Sequence, residues 1–148
     1  MSKPVVVVTK GLPGSGKSTW SRNYVRAHKN WARICKQDLR RDVFENPNIG
    51  LEDNDYGGRS NKAVCDIRDA AILLLITRGY SVIVDGLSLH PDAVSHIEKV
   101  VGNRANVRVQ DFTWVSLETC ILRDAKRSRE FSAGERAIRR LHRLYLEE

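Results

Sequence analysis

The residues from Gly11 to Ser18 have the types and the spacing that bind phosphate. They read Gly-Leu-Pro-Gly-Ser-Gly-Lys-Ser, which matches G-x-x-x-x-G-K-[ST] between a short β-branched run and a helical pattern. Glycine permits the tight turn that directs backbone N–H groups at an anion. Lys17 would bring a positive charge to the β- and γ-phosphates, and the Ser18 hydroxyl would bind Mg²⁺. We therefore expect a nucleoside triphosphate, ATP or GTP, to contact Gly11, Leu12, Pro13, Gly14, Ser15, Gly16, Lys17, Ser18 and Thr19.

Two aspartates follow predicted strands and are candidates for chemistry. Asp85 ends an apolar strand, which is the position of a Mg²⁺-binding carboxylate, although a turn acid would look the same. Asp38 follows the second strand, where a carboxylate could accept the proton of an attacking hydroxyl. It could equally cap a helix that begins at Leu39, and the two roles are compatible.

A third candidate is the arginine-rich segment from Arg123 to Arg129, which leaves a helix and enters a loop. Guanidinium groups on such a lid can stabilise charge on a transferred phosphoryl group. Arginines that simply face solvent would give the same pattern. A kinase must exclude water from its triphosphate, and this favours the lid.

Alternating strand and helix patterns place these candidates on an α/β fold with a four-stranded parallel sheet. The predicted strands are Val5–Thr9, Trp31–Lys36, Ser81–Gly86 and Val107–Trp114. The predicted helices are Thr19–His28, Leu39–Glu45, Ser60–Arg78, Pro91–Val101, Ser116–Lys126 and Glu135–Leu146. Turn-forming residues predict a surface loop from Asn46 to Gly58, whose Asp-Asn-Asp run lacks the remaining spacing of a calcium loop. A chain of 148 residues without a linker is expected to form one domain, residues 1–148.

The net charge of +7 is unevenly distributed. Residues 22–41 carry seven bases and one acid, residues 42–69 three bases and seven acids, and residues 123–143 eight bases and three acids. Basic blocks on both sides of an acidic one suggest a directed field that suits a polyanion, although solvated helix faces would explain them equally well.

Three widely spaced cysteines, the absence of a signal-peptide pattern and the absence of a long apolar run predict a cytoplasmic protein with reduced, buried thiols and no membrane contact.

The chain resembles the kinase domain of the bacteriophage-type polynucleotide kinase–phosphatase family over nearly its whole length. The matching residues are Gly11 to Trp20, Lys36-Gln37-Asp38 with Arg41, Val84-Asp85, and Arg123 with Lys126-Arg127. The resemblance implies transfer of the γ-phosphate of ATP to a nucleic-acid 5′-hydroxyl. Asp38 would then be the general base, Arg41 would hold the phosphate on the 3′ side of the acceptor, and Arg127 with Arg123 would clamp the donor phosphates.

The chain also departs from that family. Lys36-Gln37-Asp38 stands where the family has Asn-Arg-Asp, and no phosphatase segment follows Glu148, so repair of 3′ ends is not expected.

Two alternative functions stay open. One is a kinase of another hydroxyl, in a nucleoside, a sugar or a hydroxymethylated base of phage DNA. The other is a nucleotide-dependent switch that transfers nothing.

Overall fold

A computed structural model describes residues 2–49, 58–129 and 131–147. The strands are β1 (Val5–Lys10), β2 (Trp31–Cys35), β3 (Ser81–Asp85) and β4 (Asn106–Asp111). The helices are α1 (Lys17–Ala27), α2 (Lys36–Phe44), α3 (Arg59–Thr77), α4 (Ala93–Val101), α5 (Leu117–Ala125) and α6 (Glu135–Tyr145). A 3₁₀ turn, Gly102–Arg104, joins α4 to β4.

The strands form one parallel sheet in the order β2-β3-β1-β4, which confirms the predicted α/β class. The two inner strands, β1 and β3, are nearly continuous valine and isoleucine runs, as expected for strands that are buried in a parallel sheet. Because all the strands run the same way, the loops after β1, β2 and β3 meet at one edge of the sheet. The candidate residues of the sequence therefore share that edge.

The main core lies on one face of the sheet, under α3 and α4. Its buried members are Val6, Val8, Ile72, Ile76, Val82, Val84, Ile97, Val101 and Ala105. On the other face, Trp20 and Tyr24 of α1 lie beside Val5 and Val7 and leave a shallow groove that exposes both valines in part. β1 is therefore fully covered on one face only, the face that carries Val6 and Val8.

A second apolar cluster supports the carboxyl edge of the sheet. Leu12 of the phosphate loop is buried there with Leu89, Val115, Cys120 and Ile138. These residues come from the loops after β1, β3 and β4 and from α5 and α6. The phosphate loop is thus packed against both of the last two helices.

Most element boundaries fall within about two residues of the prediction, which is the usual uncertainty of helix and strand ends. β4 is the main exception, because it ends at Asp111 although the alternating pattern continues to Trp114. Trp114 is 76% exposed and its indole Nε1 donates to the Asp111 carbonyl in a turn. The pattern beyond Asp111 therefore belongs to that turn and not to the sheet.

The cysteines are free thiols, but only Cys120 is buried, while Cys35 and Cys65 are partly exposed. The prediction that all three are buried is therefore wrong for two of them.

No helix in the described part of the chain is long and apolar enough to cross a membrane. Residues 50–57 of the predicted surface loop, with the Asp-Asn-Asp run, lie outside the described residues.

Candidate active site

Backbone conformation and close packing both require glycine in the phosphate loop. Gly14 and Gly16 have φ angles of 81° and 100°, in the region that side chains rarely adopt. A Cβ atom on Gly14 would also fall on the carbonyl oxygen of Cys120 in α5. The close approach of this loop to α5 therefore favours glycine at position 14, in addition to the tight turn that the sequence predicted.

Lys17 is nearly buried and bonds to its own loop. Its ammonium group donates to the Leu12 carbonyl at 2.7 Å and to Ser15 Oγ at 3.3 Å. Burial lowers the pKa of Lys17 to about 8, although the nearby Asp85 carboxylate acts in the opposite direction. A phosphate in the loop would bring a negative charge that stabilises the ammonium form of Lys17, which burial alone disfavours.

Thr9 holds the end of β1, where the phosphate loop begins, against the residues that follow β3. This fully buried hydroxyl accepts from the Gly86 amide and lies 3.0 Å from the Gly86 carbonyl, while Gly11 N donates to the Leu87 carbonyl at 2.9 Å. These bonds tie the end of β1 to the residues that follow Asp85. The phosphate loop and Asp85 are consequently held in a fixed relationship.

Arg33, in the middle of β2, connects the two candidate aspartates. Its Nε and Nη2 atoms lie 2.8 and 2.7 Å from Oδ2 of Asp85, and its Nη1 lies 2.5 Å from Oδ2 of Asp38. Burial alone would lower the pKa of Arg33, but the Asp85 and Asp38 carboxylates raise it above the ordinary value. The guanidinium thus keeps a positive charge between two acids, a role that the sequence did not reveal.

Asp38 lies in the first turn of α2, because that helix begins at Lys36 and its N-cap is Cys35. The alternative role of Asp38, as the N-cap of a helix that begins at Leu39, is therefore wrong. Arg33 contacts only Oδ2 of Asp38, and the nearest atom of Arg41 is 3.8 Å from Oδ1. Asp38 lines a cleft, in which its Oδ1 has this longer ion pair with Arg41.

That cleft has a volume of about 250 Å³ and brings residues of the phosphate loop, β2, α2 and the segment after α5 together. Four of its side chains are arginines, which makes the lining positive around a single carboxylate. The residues that line it are Ser18, Arg22, Arg33, Gln37, Asp38, Arg41, Arg127, Ser128 and Phe131.

Arg41 is one of the residues that line this cleft. It contacts Asp42 through Nε at 3.1 Å and lies over the Phe131 ring, with 5.6 Å between Cζ and the ring centre. Phe131, which the sequence did not single out, therefore brings an aromatic ring from the segment between α5 and α6 to the side of the cleft that Arg41 lines.

Arg123 and Arg127 approach the phosphate loop from α5 and its C-terminal end. Arg123 Nη1 donates to the Ser15 carbonyl at 3.4 Å, and Arg127 lines the cleft beside Ser18. Asp124 lies between them in sequence, is buried, and has Oδ1 at 3.9 Å from Nη1 of Arg127. It accepts bonds from the amides of Ala133 and Gly134 and from the hydroxyl of Ser132.

Those three bonds fix the path from α5 to α6. Burial would raise the pKa of Asp124, but the hydrogen bonds from Ala133, Gly134 and Ser132 outweigh it and hold the pKa below its usual range. An ionised Asp124 therefore anchors the segment that carries Arg127 and Phe131.

The oxygen donors near the loop suit Mg²⁺. Ser18 offers a hydroxyl in the cleft, and Arg33 uses only Oδ2 of Asp85. The described residues include no group of three or more metal-ligating side chains, so an ion here would have to bring phosphate oxygens or water as its other ligands. That is how Mg²⁺ binds with a nucleoside triphosphate, and the residues fit such an ion.

A four-stranded parallel sheet with a phosphate loop between β1 and α1 defines this protein as a P-loop domain with the kinase fold. The chain matches the AAA_33 family, described as an AAA domain, over residues 6–147, and it belongs to that family.

Solved structures share the fold. A chain of the Pnkp1/Rnl/Hen1 RNA repair complex is 22% identical, with a TM-score of 0.77 over 95% of this chain and 43% of that one. The APS kinase CysC of Mycobacterium tuberculosis is 20% identical, with a TM-score of 0.64 over 85% and 71% of the two chains. A gluconokinase from Sinorhizobium meliloti is 16% identical, with a TM-score of 0.59 over 99% and 78%. The chain spans less than half the length of the RNA repair chain that it matches.

Proposed function

We propose that this protein is a polynucleotide 5′-hydroxyl kinase that transfers the γ-phosphate of ATP or GTP to the 5′ end of DNA or RNA. The observation that carries the proposal is the cleft in which one carboxylate, Asp38, stands among four arginines beside the phosphate loop. A neutral acceptor such as a sugar would have no use for so much positive charge. A nucleic-acid backbone supplies the complementary negative charge.

In this proposal, the donor triphosphate lies on the phosphate loop, and unpaired N–H groups at the start of α1 help to bind it. Lys17 moves from the Leu12 carbonyl to the donor phosphates. Bound at Ser18 and near Asp85, Mg²⁺ would neutralise charge on the β- and γ-phosphates. Arg123 and Arg127 add positive charge around the donor phosphates on the side of the loop that faces α5.

The acceptor hydroxyl approaches from the Asp38 side. Its proton passes to Oδ1 of Asp38, the oxygen that Arg33 does not contact, while its oxygen attacks the γ-phosphorus. The bond between that phosphorus and the oxygen bridging to the β-phosphate breaks, and the nucleoside diphosphate leaves. Arg33 holds the orientation of Asp38, and Arg41 is placed to bind the phosphate on the 3′ side of the acceptor nucleotide.

The similar structures support phosphoryl transfer and leave the acceptor to be tested. Two are described as kinases, of APS and of gluconate, and another is a chain of an RNA repair complex. Because proteins with different acceptors share this fold, the fold does not identify the acceptor. We infer the acceptor from the residues of the cleft instead.

The test is transfer of label from γ-labelled ATP with Mg²⁺ to matched DNA and RNA oligonucleotides. We expect labelling of a 5′-hydroxyl oligonucleotide and none of its 5′-phosphorylated counterpart. Label inside the strand would indicate a base kinase, transfer only to small hydroxyl compounds would indicate a metabolite kinase, and release of free phosphate alone would indicate an NTPase. Each of these three results would reject the proposal.

A further inference from the structure

Helix α6 presents a face of arginines that the cleft does not use. Arg136, Arg139, Arg140 and Arg143 recur at three- and four-residue spacings and are all exposed. At about 1.5 Å of rise per residue they cover roughly 10 Å along one side of the helix. Arg139 is paired with Glu135, at 2.8 Å. The other three form no ion pair with a described acid.

The opposite face of α6 holds the helix on the domain. Ile138 is fully buried with Leu12 and Cys120, and Leu141 packs against the same cluster. The arginines are therefore not needed for packing. Like charges three and four residues apart repel one another by about 0.2–0.5 kcal/mol per pair. A face that keeps them in spite of this repulsion suits an anionic partner.

The arginine face lies close to the acceptor cleft along the chain. Phe131 lines the cleft, and Asp124 fixes the amides of Ala133 and Gly134 immediately before α6 begins. Arg136 follows Phe131 by five residues, so their Cα atoms are at most about 18 Å apart. Arg136, where this face begins, is therefore within a few nucleotides' length of Phe131 at the cleft.

We propose that Arg136, Arg140 and Arg143 form a second contact surface for the backbone of the acceptor nucleic acid, outside the cleft. This inference rests on the proposed function, since it adds to the acceptor side of the same reaction. Phosphate contacts of this kind position a strand without reading its sequence. They would make the protein favour long acceptors over single nucleotides.

A membrane surface fits this helix less well. Amphipathic helices that bind bilayers insert an apolar face, and the apolar face of α6 is occupied by Leu12 and Cys120 of its own domain. Among the remaining side chains of α6, the exposed large hydrophobic ones are Leu144, at 60%, and Tyr145, at 38%. Two adjacent side chains provide little area for insertion.

The experiment compares a triple variant, Arg136→Gln, Arg140→Gln and Arg143→Gln, with a control that removes the same charge at the opposite edge of the sheet. The control carries Arg78→Gln, Lys99→Gln and Arg104→Gln, three exposed residues near the amino ends of β3 and β4. A lysine version of the triple variant retains the charge and tests whether charge, not helix stability, is responsible. Binding of a long single-stranded oligonucleotide is measured by fluorescence anisotropy as a function of salt concentration.

We expect the glutamine variant to bind the oligonucleotide roughly tenfold more weakly and to lower the slope of log K against log salt by about 2, since each lost phosphate contact on a single strand removes about 0.7. The control and the lysine variant should resemble the wild type. Phosphorylation of a nucleoside 3′-monophosphate, which is too short to reach α6, should stay within about twofold of the wild type in every variant.

Equal binding and equal salt slopes in the triple variant and the control would overturn the inference while the proposed function stood. So would a loss that appeared only with vesicles containing anionic lipid. If the wild type transferred no phosphate to any acceptor but the triple variant still lost oligonucleotide binding, the surface would be supported and the proposed function rejected.

Discussion

Arg33 contacts one oxygen of Asp85 with two of its nitrogens, at 2.8 and 2.7 Å, from the neighbouring strand of the sheet. The third nitrogen of the same guanidinium pairs with Asp38. A single side chain thus joins Asp85, at the end of β3, to Asp38, in the first turn of α2. This pairing leads to the first prediction.

Arg33→Ala should destabilise the fold by about 3 kcal/mol, because it leaves the buried Asp85 carboxylate without its counter-ion. Urea unfolding measures the change. Arg22→Ala is the matched control, since it removes an exposed arginine of the same cleft and should cost less than about 0.5 kcal/mol. Adding Asp85→Asn to Arg33→Ala should recover part of the loss. Equal effects of the two alanine variants would show that Arg33 does not stabilise Asp85.

Gly14→Ala should be more costly than the same change at a glycine of similar backbone shape. Both Gly14 and Gly79 have positive φ angles, of 81° and 89°, but only the new Cβ at Gly14 would meet another chain segment, the Cys120 carbonyl. We expect about 1 kcal/mol for Gly79→Ala from backbone strain and at least twice that for Gly14→Ala, together with weaker nucleotide binding. Thermal unfolding and nucleotide titration of both variants test this, and equal costs would contradict the packing argument.

The low pKa of Lys17, about 8, predicts that nucleotide binding depends on pH. Below that value the ammonium group is charged and ready to bind phosphate. Above it the free protein has lost the proton, so binding a triphosphate must restore it, and affinity should fall as pH rises. Calorimetry above pH 8 in buffers with different ionisation enthalpies should detect proton uptake in the wild type and none in Lys17→Met. Equal proton exchange in both proteins would assign the effect to another group.

The same shift affects stability in a defined direction. The pKa of a lysine in the unfolded chain is near its ordinary value of 10.5, so the folded state binds fewer protons than the unfolded state between about pH 8 and pH 10.5. The free energy of unfolding of the nucleotide-free protein should therefore receive a rising contribution from Lys17 across that window, and Lys17→Met should remove it.

Asp124→Asn should loosen the segment between α5 and α6. The carboxylate accepts three hydrogen bonds, and the amide can replace them only in part, so we expect a loss of about 1–3 kcal/mol. Because the folded pKa lies below the usual value, the stabilisation by Asp124 is complete above the unfolded pKa and is lost as pH falls through the folded one. The wild type should therefore lose more stability than the variant on acidification. Asp66→Asn, at an exposed pair with Lys62, is the control and should have almost no effect.

The fold could be predicted from local sequence because its signals are local. The valine runs of β1 and β3, the glycines that end α3 and α4, and the helical spacing in α3 and α6 each act within a few residues. The first and last residues of the helices and strands were predicted less accurately. α2 begins at Lys36, three residues earlier than predicted, because the turn that starts it contains no capping side chain to mark the position.

Only those residues of the candidate site that belong to a recognisable motif could be predicted from the sequence. The phosphate loop and the acids at strand ends have recognisable positions, whereas Arg33 is one base among the many of residues 22–41. Its contacts with Asp38 and Asp85 exist because β2 lies beside β3, a relationship that no local pattern encodes. Thr9, Asp124 and Phe131 were missed for the same reason, since each acts through partners that the folded chain brings to it.

The central claim is that Asp38 takes the proton of a nucleic-acid 5′-hydroxyl. Transfer of γ-phosphate from ATP to a 5′-hydroxyl oligonucleotide, measured for the wild type and Asp38→Asn beside ATP binding by both proteins, tests it most directly. We predict end-labelling by the wild type, a fall of at least about 100-fold in the rate for Asp38→Asn, and an affinity for ATP that changes by less than about threefold. Wild-type protein that labels no 5′ end, or a variant that labels it at an undiminished rate, would contradict the account.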